Sequence, residues 1–198
     1  MRQAASITIS LLLVTCGGAP TAAPSAAPVA SPSVSVSVAT SRPSYAPGTV
    51  MSKPSGVTTV PIAKGRFAEI DAKARTEANP TTNTTLWQAQ ISTRGASDLE
   101  VLQNTIVPGG TFGWHSHPGP SFVIVKSGTA TFYLANDPKC TPHVVEAGSG
   151  FVDQGGDVHV VRNEGAVDLV TIVASLIPAG TTRRIDEARP DTCPSSIP

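Results

Sequence analysis

From about Gly56 onward, short runs of Val, Ile, Thr and aromatic residues alternate with breaks of Gly, Pro, Asp and Asn. Apolar and polar positions repeat with a period of two, the pattern of half-buried β-strands. The pattern predicts strands near 66–72, 86–93, 99–107, 112–117, 121–126, 129–134, 143–146, 150–153, 158–162 and 168–176. The intervening "PGG", "HPGP", "KSG", "NDPKC", "EAGSG", "DQGGD" and "RNEG" are turn sequences. The one weakly helical stretch, 67–76, is not counted as a helix. Many short strands at this spacing predict an all-β sandwich or barrel, and about 140 residues suffice for one with a filled or ligand-sized interior.

The pattern is absent before residue 56. Arg2 is followed by an apolar run over 4–14, well short of the ~20 residues of a spanning helix and typical of an export signal. The run ends in Leu13-Val14-Thr15-Cys16 with Gly17 and Gly18 behind it. This resembles the lipobox of bacterial lipoproteins, with Leu three residues before the Cys that is cleaved and lipidated. Thr15 stands where the family has Gly, Ala or Ser. Ordinary signal cleavage after Gly17–Ala19, giving a secreted protein, is the alternative. Residues 19–56 hold seven of the chain's eighteen prolines and only Arg42 and Lys53 as charges. That composition is a disordered Pro/Ala/Ser spacer which cannot build a core. The expected organisation is a signal peptide over 1–16, a linker over 17–56 and a β-barrel domain over 57–198. The expected product is an exported cell-envelope protein anchored to the membrane at Cys16.

Net charge is zero, and neither a basic patch for nucleic acid nor an acidic tail is present. With Cys16 lipidated or removed, Cys140 and Cys193 remain. An oxidising compartment makes a disulfide between them the expected outcome, tying the "DTCPSSIP" tail to the domain.

Of four histidines in the chain, three can converge. His115 and His117 are two residues apart, so a strand presents both on one face. His159 lies on another predicted strand. Three neutral imidazoles suit zinc, iron, copper or nickel and leave positions open for water or a small-molecule ligand. His143 is expected at a strand edge rather than as a ligand. The same alternation turns Thr111 and Gly113 inward with the histidines and Phe112 and Trp114 to the opposite face. Trp114, Phe122, Phe132 and Tyr133 are expected to pack the sheets rather than line a cavity. No Arg or Lys is conspicuously placed to grip an anion, and no phosphate loop or nucleophile–base pair is visible.

Two linked motifs, Gly109 with His115-Ser116-His117 and Gly128, then Gly148 with Gly156, His159 and Asn163, resemble those of the cupin superfamily. In "GGTFGWHSHPGPSFVIVKSG", Gly109 precedes His115-Ser116-His117 by the family's five residues, and Gly128 closes the motif in register. In "GSGFVDQGGDVHVVRN", Gly148, Gly156, His159 and Asn163 match the second motif, with Gln154 where proline is usual. The resemblance implies a single cupin-type barrel (double-stranded β-helix, or jelly roll), metal on His115, His117 and His159, and dimerisation by strand sharing. Ser121 occupies the position of the glutamate that usually joins the three histidines. A hydroxyl ligates divalent ions poorly, and losing a negative charge disfavours hard ions such as manganese. Ser121, Gln154 and Asn163 are the expected pocket residues, with Asp153 and Asp157 as orienters of His159. The functional expectation is small-molecule binding or sensing at a divalent transition metal. A metal-dependent oxygenase or isomerase and a structural barrel with a vestigial pocket are the alternatives, because the fold alone hosts all three.

Overall fold

The computed structural model describes Tyr45, Ala46 and residues 49–83 and 85–197. The signal segment, Cys16 and the spacer as far as residue 44 lie outside the described residues. Among the described residues there are twelve strands and no helix. They are β1 (Ser55–Phe67), β2 (Asp71–Thr76), β3 (Trp87–Ser92), β4 (Ser97–Thr111), β5 (His115–Ser116), β6 (Ser121–Ser127), β7 (Thr129–Leu134), β8 (His143–Glu146), β9 (Gly150–Asp153), β10 (His159–Arg162), β11 (Leu169–Pro178) and β12 (Ile185–Asp186).

Ten of them form one antiparallel sheet folded into a nearly closed barrel. One arm runs β1–β4–β11–β6–β9 and the other β12–β5–β10–β7–β8. The arms meet where Thr111 of β4 pairs with Arg162 of β10. Inward positions at the base of the barrel pack into one cluster: Ile106, Val125, Ala130, Val161 and Leu169, with Phe112, Phe132 and Phe151 against it. Ring stacking of Phe132 on Phe151 and on His143 (centroids 4.7 and 4.8 Å apart) extends that cluster outward.

A second cluster lies on the outer side of β5, β7 and β10. Trp114, Tyr133 and Val160 are covered there by Cys140, Cys193 and Ile197. Cys140 and Cys193 form a disulfide with Cα atoms 5.2 Å apart. Trp114 Nε1 donates to the Ile197 carbonyl at 3.1 Å, Arg162 to the Ser196 carbonyl at 3.0 Å, and Arg189 to the Cys193 carbonyl. The tail after β12 is thus pinned across the sheet, as the cysteine pairing predicts.

Two strands run against the sequence pattern. The stretch 55–67 contains Pro61 and Gly65 and follows a proline-rich tract, yet it forms the thirteen-residue β1. Proline is tolerated there because β1 pairs on one side only, with β4, and the register shifts between Pro61 and Ala63. The strand therefore begins before the domain start expected at 57, and Ser52 already donates its N–H to the Glu187 carbonyl. The strand expected at 66–72 divides into the end of β1 and the start of β2. β2 and β3 make a separate two-stranded sheet, exposed along its length.

Candidate metal centre

β5 and β10 pair with His115 opposite His159, which brings their ring centroids within 4.3 Å. His117 follows two residues on and folds back to the same side, its ring 4.8 Å from that of His115 and 5.4 Å from that of His159. All three are buried, and one ligand atom of each lies within 4.8 Å of the others. His143 is apart from them, stacked on Phe132.

A turn after β4 sets this geometry. Gly113 adopts φ +66°, and a Cβ there would meet the Lys53 carbonyl oxygen at 2.8 Å. A side chain at 113 is therefore excluded by both backbone conformation and space. The turn also breaks the strict alternation expected from 111 to 117. Phe112, expected to face away, lines the histidine cavity with its ring 5.8 Å from that of His115. Trp114 does face away, into the cluster under the disulfide. Phe122 is half exposed on the outer surface, whereas Phe151 joins Phe112 at the cavity wall.

Each histidine is held by a backbone carbonyl behind it. Nδ1 of His115 lies 2.8 Å from the Gly113 oxygen, Nδ1 of His117 2.7 Å from the Arg183 oxygen, and Nδ1 of His159 3.0 Å from the Asp157 oxygen. A carbonyl only accepts, so all three Nδ1 atoms carry a proton, and in the neutral rings all three Nε2 atoms present lone pairs. Asp153 joins them from β9. Its Oδ2 is 3.4 Å from His117 Nε2 and 3.7 Å from His159 Nε2, and no hydrogen-bond donor reaches it. Asp157 holds the His159 ring through its backbone oxygen, and its carboxylate acts on His159 only at longer range, through charge.

The other expected pocket residues divide. Ser121 lines the cavity, fully buried, but its Oγ is hydrogen-bonded to Ser175 Oγ at 2.8 Å. Gln154 is not at the cavity wall; it follows the inward-facing Asp153 by one residue. Asn163 is not there either. Its Nδ2 donates to the Ile106 and Val167 carbonyls and its Oδ1 accepts from Gly165 N–H, so the side chain is used up in clamping a turn. Sequence reading missed Arg183, which lines the cavity and whose carbonyl holds His117. It lies in the segment leading to β12, well past either motif, where no local pattern marks it.

Burial lowers the basicity of the site. His115 is held well below the ordinary imidazole pKa, first by desolvation and then by His159 and His117. His117 is lowered to about 4, again by burial first and by His159 next, with Asp153 partly opposing. These rings are neutral in the folded chain near pH 6.5 and charge more readily when unfolded. The stability they contribute is complete above about pH 6.5 and is lost as pH falls toward 4, at about 1 kcal/mol per pH unit per histidine. Urea unfolding of the metal-free protein should show this slope, and His117→Gln should reduce it. A stability flat between pH 6.5 and 4 would contradict the assignment.

A family profile described as the Cupin domain matches residues 104–175, the span that carries all three histidines and Asp153. Residues 104–175 form a cupin domain. The matched span lies within the barrel and includes His115, His117 and His159. Similar solved structures include a cupin superfamily protein from Desulfitobacterium hafniense (11% identity, 40% of this chain and 67% of that one, TM-score 0.36). The Cupin_2 domain of an XRE family transcriptional regulator from Enterobacter cloacae is another (12% identity, 61% and 96%, TM-score 0.37). A third is a conserved protein of unknown function from Streptococcus pyogenes (21% identity, 41% and 67%, TM-score 0.36). No curated protein matches the chain.

Proposed function

We propose that this cupin domain holds one divalent transition-metal ion on Nε2 of His115, His117 and His159 and binds or senses a small molecule at the ion's open positions. The supporting observation is the common tautomer. Three carbonyls fix three Nδ1–H groups, so three lone pairs face one another with no proton between them. Such a cluster is electrostatically unfavourable unless a cation sits among the nitrogens, and backbone contacts of this kind orient metal-ligating imidazoles. A vestigial pocket has no reason to keep all three arrangements. Iron, zinc, copper and nickel suit imidazole ligands, and a bound ion of this kind supplies a Lewis-acid or oxygen-binding centre.

The cavity bounds what can join the ion. Its volume is about 30 Å³, room for roughly two water-sized spheres. Arg183 lines the cavity and its positive charge acts on His117, which favours a small anion or an oxygen-bearing ligand over a bulky neutral one. A metal-dependent oxygenase or isomerase is the second reading, supported by the open positions that three protein ligands leave. Oxygen uptake and product analysis of metal-loaded protein across small carboxylic acids and carbonyl compounds separate the readings. Ligand-induced spectral shifts without turnover support binding; turnover supports the enzyme; neither one overturns both.

The disulfide accords with an exported protein, since such bonds persist in oxidising compartments. Lipid anchoring at Cys16 and export belong to the same proposal. Precursor processing blocked by globomycin supports the anchor, and processing indifferent to the drug argues for a released protein.

A further inference from the structure

We propose that Asp153 is the fourth protein ligand of the metal, supplying from β9 the carboxylate that the first cupin motif lacks at Ser121. The inference rests on the three-histidine reading and extends it. Ser121 and Asp153 are direct partners in the β6–β9 register. Their side chains therefore leave the sheet on the same face and side by side. A carboxylate at 153 enters the cavity one strand over from the position where the family's glutamate would enter it.

Four observations make Asp153 a ligand rather than a bystander. Its side chain is 6% exposed, so it has left water. Oδ1 accepts from Gly155 N–H at 3.0 Å, which fixes the carboxylate plane. Oδ2 points at His117 and His159 and has no donor. In their neutral form the neighbouring Nε2 atoms cannot donate to it, because the carbonyls behind them keep the single ring proton on Nδ1. A buried carboxylate oxygen with no hydrogen-bond donor, helped only by the longer-range charge of Arg183, carries a desolvation cost that a cation at the site would remove. Ser121 cannot take that role, since its hydroxyl is engaged with Ser175.

The backbone around Asp153 is built to hold it there. Gly155 has φ +84°, and a Cβ on it would meet the Gly119 carbonyl carbon at 2.6 Å. Gly156 N–H donates to the His117 carbonyl at 2.7 Å. The turn after Asp153 is therefore clamped to the loop after His117, so the two candidate ligands are fixed relative to each other. The resulting donor set is three neutral nitrogens and one anionic oxygen. It restores the negative charge lost at 121 and with it affinity for harder, oxygen-preferring ions such as manganese(II) and iron(II).

The test compares wild type with Asp153→Asn, which keeps an oxygen to accept from Gly155 and removes only the charge. Metal-free proteins are titrated with manganese(II), cobalt(II) and zinc(II), with the cobalt(II) visible spectrum as a coordination readout. Asp153→Asn should still bind one ion per chain but ~100-fold more weakly for manganese, with a smaller loss for zinc and an altered cobalt spectrum. Adding Ser121→Glu to Asp153→Asn should recover manganese affinity by returning the carboxylate from the neighbouring strand. Equal affinities for all three ions and an unchanged cobalt spectrum in Asp153→Asn would overturn the inference while leaving the histidine site intact. Failure of wild type itself to bind any ion would instead overturn the three-histidine reading.

Discussion

Replacing His115 and His159 together by alanine should weaken metal binding by at least ~1000-fold and leave the barrel folded. The two rings are opposite each other on β5 and β10, so the double change removes the centre of the donor set and leaves His117 and Asp153 on one side. Even loss of an outer contact to a metal ligand typically costs 10–100-fold in affinity, and two direct ligands cost more. The fold should survive because neither ring holds the sheet together. Their backbone pairing is retained, and the space vacated adjoins an existing cavity. Equilibrium dialysis against radioactive or colorimetrically assayed metal measures the loss, and near-ultraviolet circular dichroism of the buried Trp114 reports folding. A folded double variant that retains one tightly held ion per chain would place the metal elsewhere.

Replacing both Cys140 and Cys193 by serine should destabilise the domain by about 4 kcal/mol. Closing a loop with a sequence separation of 53 removes that much chain entropy from the unfolded state. The effect also extends beyond the bond itself. The tail it fastens covers Trp114, which donates to Ile197, and holds the Ser196 carbonyl against Arg162. Upstream of the tail, Glu187 accepts from Ser116 Oγ at 2.7 Å, with both residues buried, between the two ligands His115 and His117. Loosening the tail should therefore shift Trp114 emission to the red and lower metal affinity modestly as well as stability. A denaturation midpoint equal to wild type would show that the tail is held without the disulfide.

Sequence pattern was enough to place the barrel because its inner strands bury alternate residues. β7, β8 and β9 fall at 129–134, 143–146 and 150–153 as the alternation predicts. β1 was hidden because an edge strand can carry Pro61 and Gly65, which a central strand cannot. β12 was hidden because two residues hold no period. At the site, the histidine spacing was legible because two motifs carry it, and so was the absence of a carboxylate at 121. The substitute at 153 was legible only as a nearby acid. Its meaning depends on the cross-strand register with Ser121, which no local pattern encodes. The Arg183 carbonyl behind His117 was not legible at all, since it comes from backbone 66 residues away.

The most direct check is the metal content of the native protein, expressed and purified without an affinity tag and analysed by inductively coupled plasma mass spectrometry. One transition-metal ion per chain, removable by chelation and restored on reconstitution, is the predicted result. A correctly folded, disulfide-bonded chain that emerges metal-free and takes up no ion on reconstitution would contradict it.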